Sequence, residues 1–155
     1  MTLDRIELAL RSGLGVAVSI LLSAIAVICF LEVILRYVFA ASLSWYDELV
    51  GYLLVWLTFL GAVLAQSHGQ HVGIGDLVEH APARFRRVLE LAKHMVLVAV
   101  HLVLLVFGAQ LAMRFLGERA ITVPVPMGVV YGVIPVSAAL MLVMQAARIA
   151  RLIRS

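Results

Sequence analysis

Residues 44–76 read SWYDELVGYLLVWLTFLGAVLAQSHGQHVGIGD and contain the segment that decides the fold. From Leu49 to Ala65 the chain carries no charged side chain, and about seventeen residues at ~1.5 Å rise cover most of a ~30 Å hydrocarbon core. Ser44, with Asp47 three residues later, resembles a capping box in which aspartate replaces glutamate. The sequence therefore predicts a membrane-spanning helix that begins near residue 46 and has polar chemistry at its two ends.

The composition extends this conclusion to the whole chain. Of its 155 residues, 64% are hydrophobic and 14% are charged. A typical soluble domain has about 45–50% apolar residues and about 25% charged residues. A domain of this size cannot bury such a surplus in one core, so we predict an integral membrane protein. The basic residues behind the net charge of +3 flank apolar runs, which favours membrane anchoring over a nucleic-acid partner. Cys29 is expected to be a small buried hydrophobe.

Four apolar segments are long enough to span a bilayer, at residues 12–35, 46–66, 93–114 and 128–148. The first has acidic residues before it and no clear small-residue cleavage site, so an uncleaved helix is expected rather than a signal peptide. An amphipathic piece after Pro82 either lies at the interface or runs directly into the third span, and Pro135 predicts a kink in the fourth. We predict an all-α integral membrane protein, a single domain over residues 1–155 with four transmembrane helices and a short amphipathic helix before helix three.

The distribution of basic residues predicts an orientation. The two terminal segments and the segment between spans two and three hold about nine Lys or Arg residues, and the opposite side holds about three. The positive-inside rule then puts both termini in the cytoplasm. At the C-terminal end, Arg148, Arg151 and Arg154 are expected to meet anionic lipid headgroups.

Three residues of the second span predict a subunit interface. Trp56 lies near mid-membrane, where its indole N–H needs a hydrogen-bond partner. Gly61 and Ala65 form a small-xxx-small pair that permits close helix approach. At the end of the first span, Glu32 and Arg36 are four residues apart with the acid first, which predicts a helical ion pair.

The histidines suggest a metal site or a haem site, but the ligand pattern that either site requires is incomplete. The spacing of His68, His71, Asp76 and His80 is loose for a metal site, so a solvated segment with locally hydrogen-bonded histidines is expected. His94 and His101 share one face of the third span, and core histidines are expected there because no histidine at matching depth is visible on another span. A haem-binding respiratory anchor subunit is the alternative that they would support.

A small stand-alone exporter is the second alternative, although the mid-membrane charge that marks a transport path is missing. The sequence shows no nucleophile–base pair, phosphate loop or convincing metal cluster, so no enzyme is indicated. These residues by themselves predict an accessory or scaffold membrane subunit.

The run RYVFAASLSWYDELVGYLLVWLTFLGAVLAQSHGQHVGIGDL resembles the signature region of the small, DctQ-like membrane subunit of tripartite ATP-independent periplasmic (TRAP) transporters. The positions that carry the resemblance are Arg36, Tyr37, Trp45, Glu48, Trp56, Gly61, Ala62, His71, Asp76 and Leu77. The later run VPVPMGVVYGVIPVSAALM, with Tyr131 and Pro135, resembles the family's entry to helix four. Gly75 departs from the pattern, which has a bulkier apolar residue at that position.

The resemblance implies a non-catalytic four-helix subunit of the bacterial inner membrane. Its partners would be a large DctM-like membrane subunit, a periplasmic substrate-binding protein and the phospholipid membrane, with no nucleic acid. It implies import of an organic acid driven by a sodium gradient, with solute and sodium sites in the large subunit and no cofactor in this chain. We expect a stator whose Trp56, Gly61 and Ala65 face the large subunit. We also expect the link from Ser44 to Glu48 to help dock the binding protein.

Overall fold

The structure, a computed structural model, describes residues 2–68 and 83–154. This part of the chain contains four helices: α1 (Thr2–Val38), α2 (Tyr46–Ser67), α3 (Ala83–Arg114) and α4 (Met127–Arg154). Each has a stretch long and apolar enough to cross a membrane, namely Leu10–Val38, Tyr46–Ser67, Leu91–Arg114 and Met127–Ile149. The predicted all-α fold with four membrane-spanning helices is confirmed.

Two helices are longer than the spans that they contain. The N-terminal lead-in continues into the first span as a single helix of 37 residues. Of the two arrangements predicted for the amphipathic segment after Pro82, the continuous one is observed, because the chain from Ala83 forms a single helix with the third span, 32 residues long. The segment before Ala83 lies outside the described residues. At ~1.5 Å per residue α3 measures ~48 Å, more than a ~30 Å hydrocarbon core, so it tilts or protrudes.

Helix α2 begins at Tyr46, as predicted, but the capping box at Ser44 and Asp47 is wrong. Trp45 is the N-cap with φ −93° and ψ −6°, and no side chain caps the first turn. A side-chain cap usually requires an extended N-cap residue. Here the chain enters the helix through a turn in which the N–H of Tyr46 donates to the carbonyl of Leu43 at 3.2 Å.

The four helices lie side by side in the order α1, α2, α4, α3. Helix α4 packs along both α2 and α3, whereas α1 packs along α2; among the described residues no close backbone approach joins α1 to α3 or α4, or α2 to α3. A small buried cluster joins α1, α2 and α4 through Leu14, Val63, Met141 and Met144. Within an apolar 18-residue stretch of each span, 11% of the residues are buried in the first three spans and 33% in the fourth, so most residues of these stretches are not buried by the chain itself.

Two glycines allow α3 and α4 to pack closely. A Cβ atom on Gly108 would lie 2.6 Å from Cγ2 of Ile134. A Cβ on Gly128, in the first turn of α4, would lie 2.6 Å from the carbonyl oxygen of Ala112 and 2.8 Å from Cα of Leu116. The helix continues through Pro135, whose Cδ would lie 3.2 Å from the same Cβ on Gly108.

Candidate functional site at the two ends of the helix row

The carboxylate of Glu48, in the first turn of α2, holds the link between α3 and α4. It accepts hydrogen bonds from the backbone N–H groups of Ile121 at 2.9 Å, Thr122 at 2.6 Å and Val123 at 3.2 Å. The hydroxyl of Thr122 also donates to it, and so does that of Tyr52 at 2.7 Å. A carboxylate has about four lone-pair positions, so the acceptor capacity of Glu48 is filled and the link is fixed against α2.

The α3–α4 link is also closed by its own backbone. The N–H of Ala120 donates to Val125 at 3.1 Å, and the N–H of Met127 donates to Glu118 at 2.9 Å. The side chain of Ile121 at its tip is 96% exposed. The link therefore presents an apolar tip from a backbone that is held in place.

The α1–α2 link lies at the same end and is tied to a second acidic residue. Glu32 is 3% exposed and accepts from Nε and Nη2 of Arg36 at 3.0 and 2.7 Å, which confirms the predicted ion pair. Its other oxygen accepts from the backbone N–H of Leu43 at 3.0 Å. Helix α1 ends beside it with Ala40 in the left-handed region, at φ 52°, the conformation that commonly ends helices.

Cys29 is half-buried rather than buried. Its Sγ lies 3.5 Å from the hydroxyl of Tyr46, which donates to it. The expectation of a small core hydrophobe is corrected, because the thiol lies where the start of α2 meets α1.

At the opposite end of the row, buried side chains join α2, α3 and α4. Gln145 has no exposed surface, and its Nε2 lies 2.6 Å from Nδ1 of His94. Its Oε1 is 3.5 Å from Nε2 of Gln66, which also donates to the carbonyl of Met141 at 3.0 Å. These contacts define the amide cluster of Gln66, His94 and Gln145.

Arg148 closes the C-terminal end of α2. Its Nη2 donates to the carbonyl of Gln66 at 2.5 Å and to that of Ser67 at 3.5 Å. A cation is favoured there because the helix dipole and the free carbonyls present negative charge. The side chains of Arg151 and Arg154 lie outside the described residues, and lipid anchoring by the three arginines stays a prediction.

The three residues predicted for a subunit interface do not share one side of α2. No atom lies within 4 Å of a Cβ built on Gly61, and Ala65 is exposed. Trp56 precedes Ala65 by nine residues, about two and a half turns, and so faces the opposite side. Val63 and Ser67 are buried on the side of Trp56. The indole is half-buried and its N–H has no hydrogen bond to a described residue.

Comparison with known proteins identifies the family. The family model for the DctQ component of tripartite ATP-independent periplasmic transporters matches residues 25–155. This chain belongs to the DctQ family. Curated relatives include a TRAP transporter small permease protein of Haemophilus influenzae, 36% identical over 54% of this chain and 53% of the relative. Another is the C4-dicarboxylate TRAP transporter small permease protein DctQ of Vibrio cholerae, 27% identical over 66% of this chain and 44% of the relative. The matches thus span about half the length of these relatives.

The DctQ motif positions that the structure describes lie mainly at the end of the row with the two links. Arg36 pairs with Glu32, Trp45 occupies the N-cap position of α2, and Glu48 holds the α3–α4 link. Pro135 lies within α4. His71 and Asp76 lie outside the described residues.

The remaining histidines of this DctQ chain do not form a metal site in the described part, where no group of three metal-ligating side chains occurs. His68 is exposed, and its Nδ1 lies 2.9 Å from the carbonyl of Leu64, a local bond of the kind expected. His94 and His101 are 7% and 5% exposed, so both are core histidines. Sequence reasoning missed Thr122, Gln66 and Gln145, because nothing in their local patterns indicates partners on distant helices.

Proposed function

We propose that this chain is the small, non-catalytic membrane subunit of a sodium-coupled TRAP transporter that imports an organic acid. In this role it is a stator, a fixed membrane scaffold beside the large permease subunit while the transport domain of that subunit moves. Its membership of the DctQ family supports the assignment to a TRAP transporter. Sodium coupling rests on the family resemblance, and the organic acid is supported by the relative described as a C4-dicarboxylate transporter subunit.

The observation that carries the stator role is the open row of helices. In an apolar 18-residue stretch of each of the first three spans, 11% of the residues are buried, so the chain offers wide apolar faces to a second membrane protein. No charge interrupts the segment from Leu49 to Ala65, whereas ion and substrate pathways are usually marked by intramembrane charge. A chain of this kind provides packing surface and no solute path.

Reconstitution tests this proposal. This chain and its cognate large membrane subunit are reconstituted in proteoliposomes, the cognate binding protein is added, and an inward sodium gradient is imposed. Uptake of labelled dicarboxylates, keto acids and sugar acids is then measured. We expect uptake of at least one acid when all three proteins and the gradient are present. Equal uptake without this chain would contradict the stator role, and transport by this chain alone would favour the exporter.

The large subunit contacts α2 on the side of Gly61 and Ala65. Thr58 lies on the same side, and its hydroxyl donates a hydrogen bond to the carbonyl of Leu54 at 2.8 Å. The Thr58 hydroxyl therefore needs no partner from the large subunit. Small residues favour close helix approach in membranes. Trp56 lies on the other side, and its half-buried indole forms a separate contact, through its free N–H, with the same large subunit.

Co-purification separates these two contacts. Gly61→Leu fills the open side of α2 and should reduce recovery of the large subunit, and Trp56→Ala tests the other side. Gly13→Leu is the matched control, because a Cβ on Gly13 also meets open space but lies on α1. Full recovery with Gly61→Leu, or equal loss with the control, would argue against this interface.

The binding protein docks on the end of the row that carries the two links. Asp47 is exposed there, and its neighbour Glu48 holds the link that carries Ile121 against α2. Charge reversal at Glu48 would release the chain's own link, so Asp47→Lys alone is the clean variant. We expect weaker stimulation of uptake by the binding protein, with Lys93→Glu near the other end as control. Unchanged stimulation would remove Asp47 from the docking surface.

Both termini are proposed to lie in the cytoplasm of a bacterial inner membrane. The excess of Lys and Arg at the termini and between α2 and α3 supports this orientation. Reporter fusions test it: a phosphatase active only in the periplasm should be active after residue 121 and inactive after residue 155. The reverse pattern would invert the orientation.

The haem-binding alternative is not favoured. His94 and His101 lie on one helix, both are buried, and Nδ1 of His94 is engaged by Gln145. The purified chain should therefore show no Soret absorption after growth with a haem precursor.

A further inference from the structure

A groove of about 470 Å³ runs along the outer side of α3 where α4 approaches it. It is lined by Val103, Leu104, Phe107, Gly108, Leu111 and Ile134, and Gln110 and Arg114 stand towards one end. Its size falls within the ~300–1,000 Å³ of small-molecule sites. We propose that this groove binds one membrane glycerophospholipid, with an acyl chain on the apolar floor and the phosphate at Arg114.

The shape of the groove follows from the glycine at its floor. Gly108 has no side chain, and α4 approaches so closely that a Cβ there would clash with Ile134. Val103 and Phe107, 55% and 63% exposed, rise on the open side of this floor. The result is an apolar trough that is open towards the membrane.

The polar groups are placed where a lipid changes from chain to headgroup. Arg114 is the last residue of α3, and Gln110 lies one turn deeper, ~6 Å along the axis. From Arg114 to Val103 the groove extends ~16 Å along the helix, about half of a ~30 Å hydrocarbon core. In a membrane lipid the phosphate, the ester groups and an acyl chain also follow each other in depth. They would therefore lie at Arg114, at Gln110 and on the apolar lining, respectively.

The charge favours a lipid over a protein helix. Arg114 is exposed and makes no ion pair or hydrogen bond with any residue that the structure describes. A transmembrane helix seated in the groove would have to supply a carboxylate at the depth of Arg114. The lipid leaflet supplies phosphate at that depth everywhere, and guanidinium binds phosphate in a bidentate manner.

Lipid retention tests the charged end of the groove. The full chain is purified in a neutral detergent, phosphatidylglycerol is added, and bound lipid is counted by native mass spectrometry; dioleoylglycerol, which lacks phosphate, is the comparison. We expect Arg114→Gln to lower retention of phosphatidylglycerol about fivefold, as for one basic side chain near a lipid surface. Arg119→Gln, the same change on the exposed link outside the groove, should leave retention unchanged.

A second pair of variants tests the apolar trough without changing charge. Val103→Trp fills the groove and should lower retention of both lipids. Val106→Trp, at a 50% exposed valine outside the lining, should lower neither.

Four results would overturn the proposal. Equal losses in the Arg114 and Arg119 variants would indicate general charge attraction, and equal retention of the two added lipids would remove the phosphate contact. Equal retention in the two tryptophan variants would show that the lipid lies elsewhere. Loss of phosphatidylglycerol when the large subunit is bound would assign the groove to that protein.

Discussion

The carboxylate of Glu48 and the backbone N–H of Thr122 are 2.6 Å apart although 74 residues separate them along the chain. This bond, with those to Ile121 and Val123, ties the start of α2 to the α3–α4 link. One acidic side chain thereby sets the position of two of the elements at the proposed docking end.

Replacing Glu48 with glutamine should loosen the link without unfolding the helices. Glutamine keeps one acceptor oxygen but loses the charge that strengthens these bonds. Hydrogen exchange of the amides at residues 121–123 should accelerate about tenfold or more. Asp47→Asn is the control because Asp47 is exposed and lies beside Glu48. Unchanged exchange in the Glu48 variant would show that backbone bonds alone fix the link.

The ion pair between Glu32 and Arg36 predicts an asymmetric double-mutant cycle. Arg36→Leu leaves a carboxylate that is 3% exposed without its charged partner, and should lower the free energy of unfolding by about 1–3 kcal/mol. Adding Glu32→Gln to that variant should recover part of the loss, because the neutral amide oxygen can still accept from Leu43. The free energies come from unfolding with a denaturing detergent. Additive losses would mean that the two side chains are not coupled.

The amide cluster predicts a cost for removing its central member. Gln145→Leu keeps the side-chain volume but removes the contacts that the buried Gln145 amide makes with Gln66 and His94. The free energy of unfolding should fall by about 1–3 kcal/mol, measured in lipid-free detergent. Gln110→Leu makes the same change at an exposed glutamine and should have little effect. Equal stability of the two variants would contradict the importance of the cluster.

Replacing a glycine with alanine should lower the stability on a packed helix surface and raise it on an open one. Gly128→Ala puts a Cβ 2.6 Å from a backbone oxygen, and overpacking of this kind costs about 1–3 kcal/mol. Gly61→Ala meets open space, and alanine should raise the stability of the helix by up to ~1 kcal/mol. Thermal unfolding of the two variants measures both effects. A lower melting temperature for Gly61→Ala would show that something within the chain covers that face.

The sequence predicted the features that depend on neighbouring residues. Long apolar runs indicated four spans, and the four-residue spacing of Glu32 and Arg36 indicated their ion pair, because both follow from helix geometry. The capping box was wrong because Trp45 adopts a helical rather than an extended conformation. Local propensity did not show that the chain enters α2 through a turn.

The order of the helices could not be predicted from the sequence. In a soluble helix the apolar stripe shows which side is buried, but in lipid both the packed and the outward sides are apolar. The partners of Glu48 and Gln145 were hidden for a related reason. They lie on other helices, and one sequence contains no signal that pairs position 48 with position 122 or position 145 with position 94.

The position of α4 between α2 and α3 has a consequence for biogenesis. The ribosome makes α3 before α4, yet in the described part α3 packs on α4 and makes no close backbone approach to α1 or α2. During insertion, α1 and α2 can pair as soon as both are in the bilayer. Helix α3 has no described helix to pack against until α4 is inserted. Of the four described helices, the fourth is therefore the one that joins the other three, and without it the described part would consist of a helical hairpin and a separate helix.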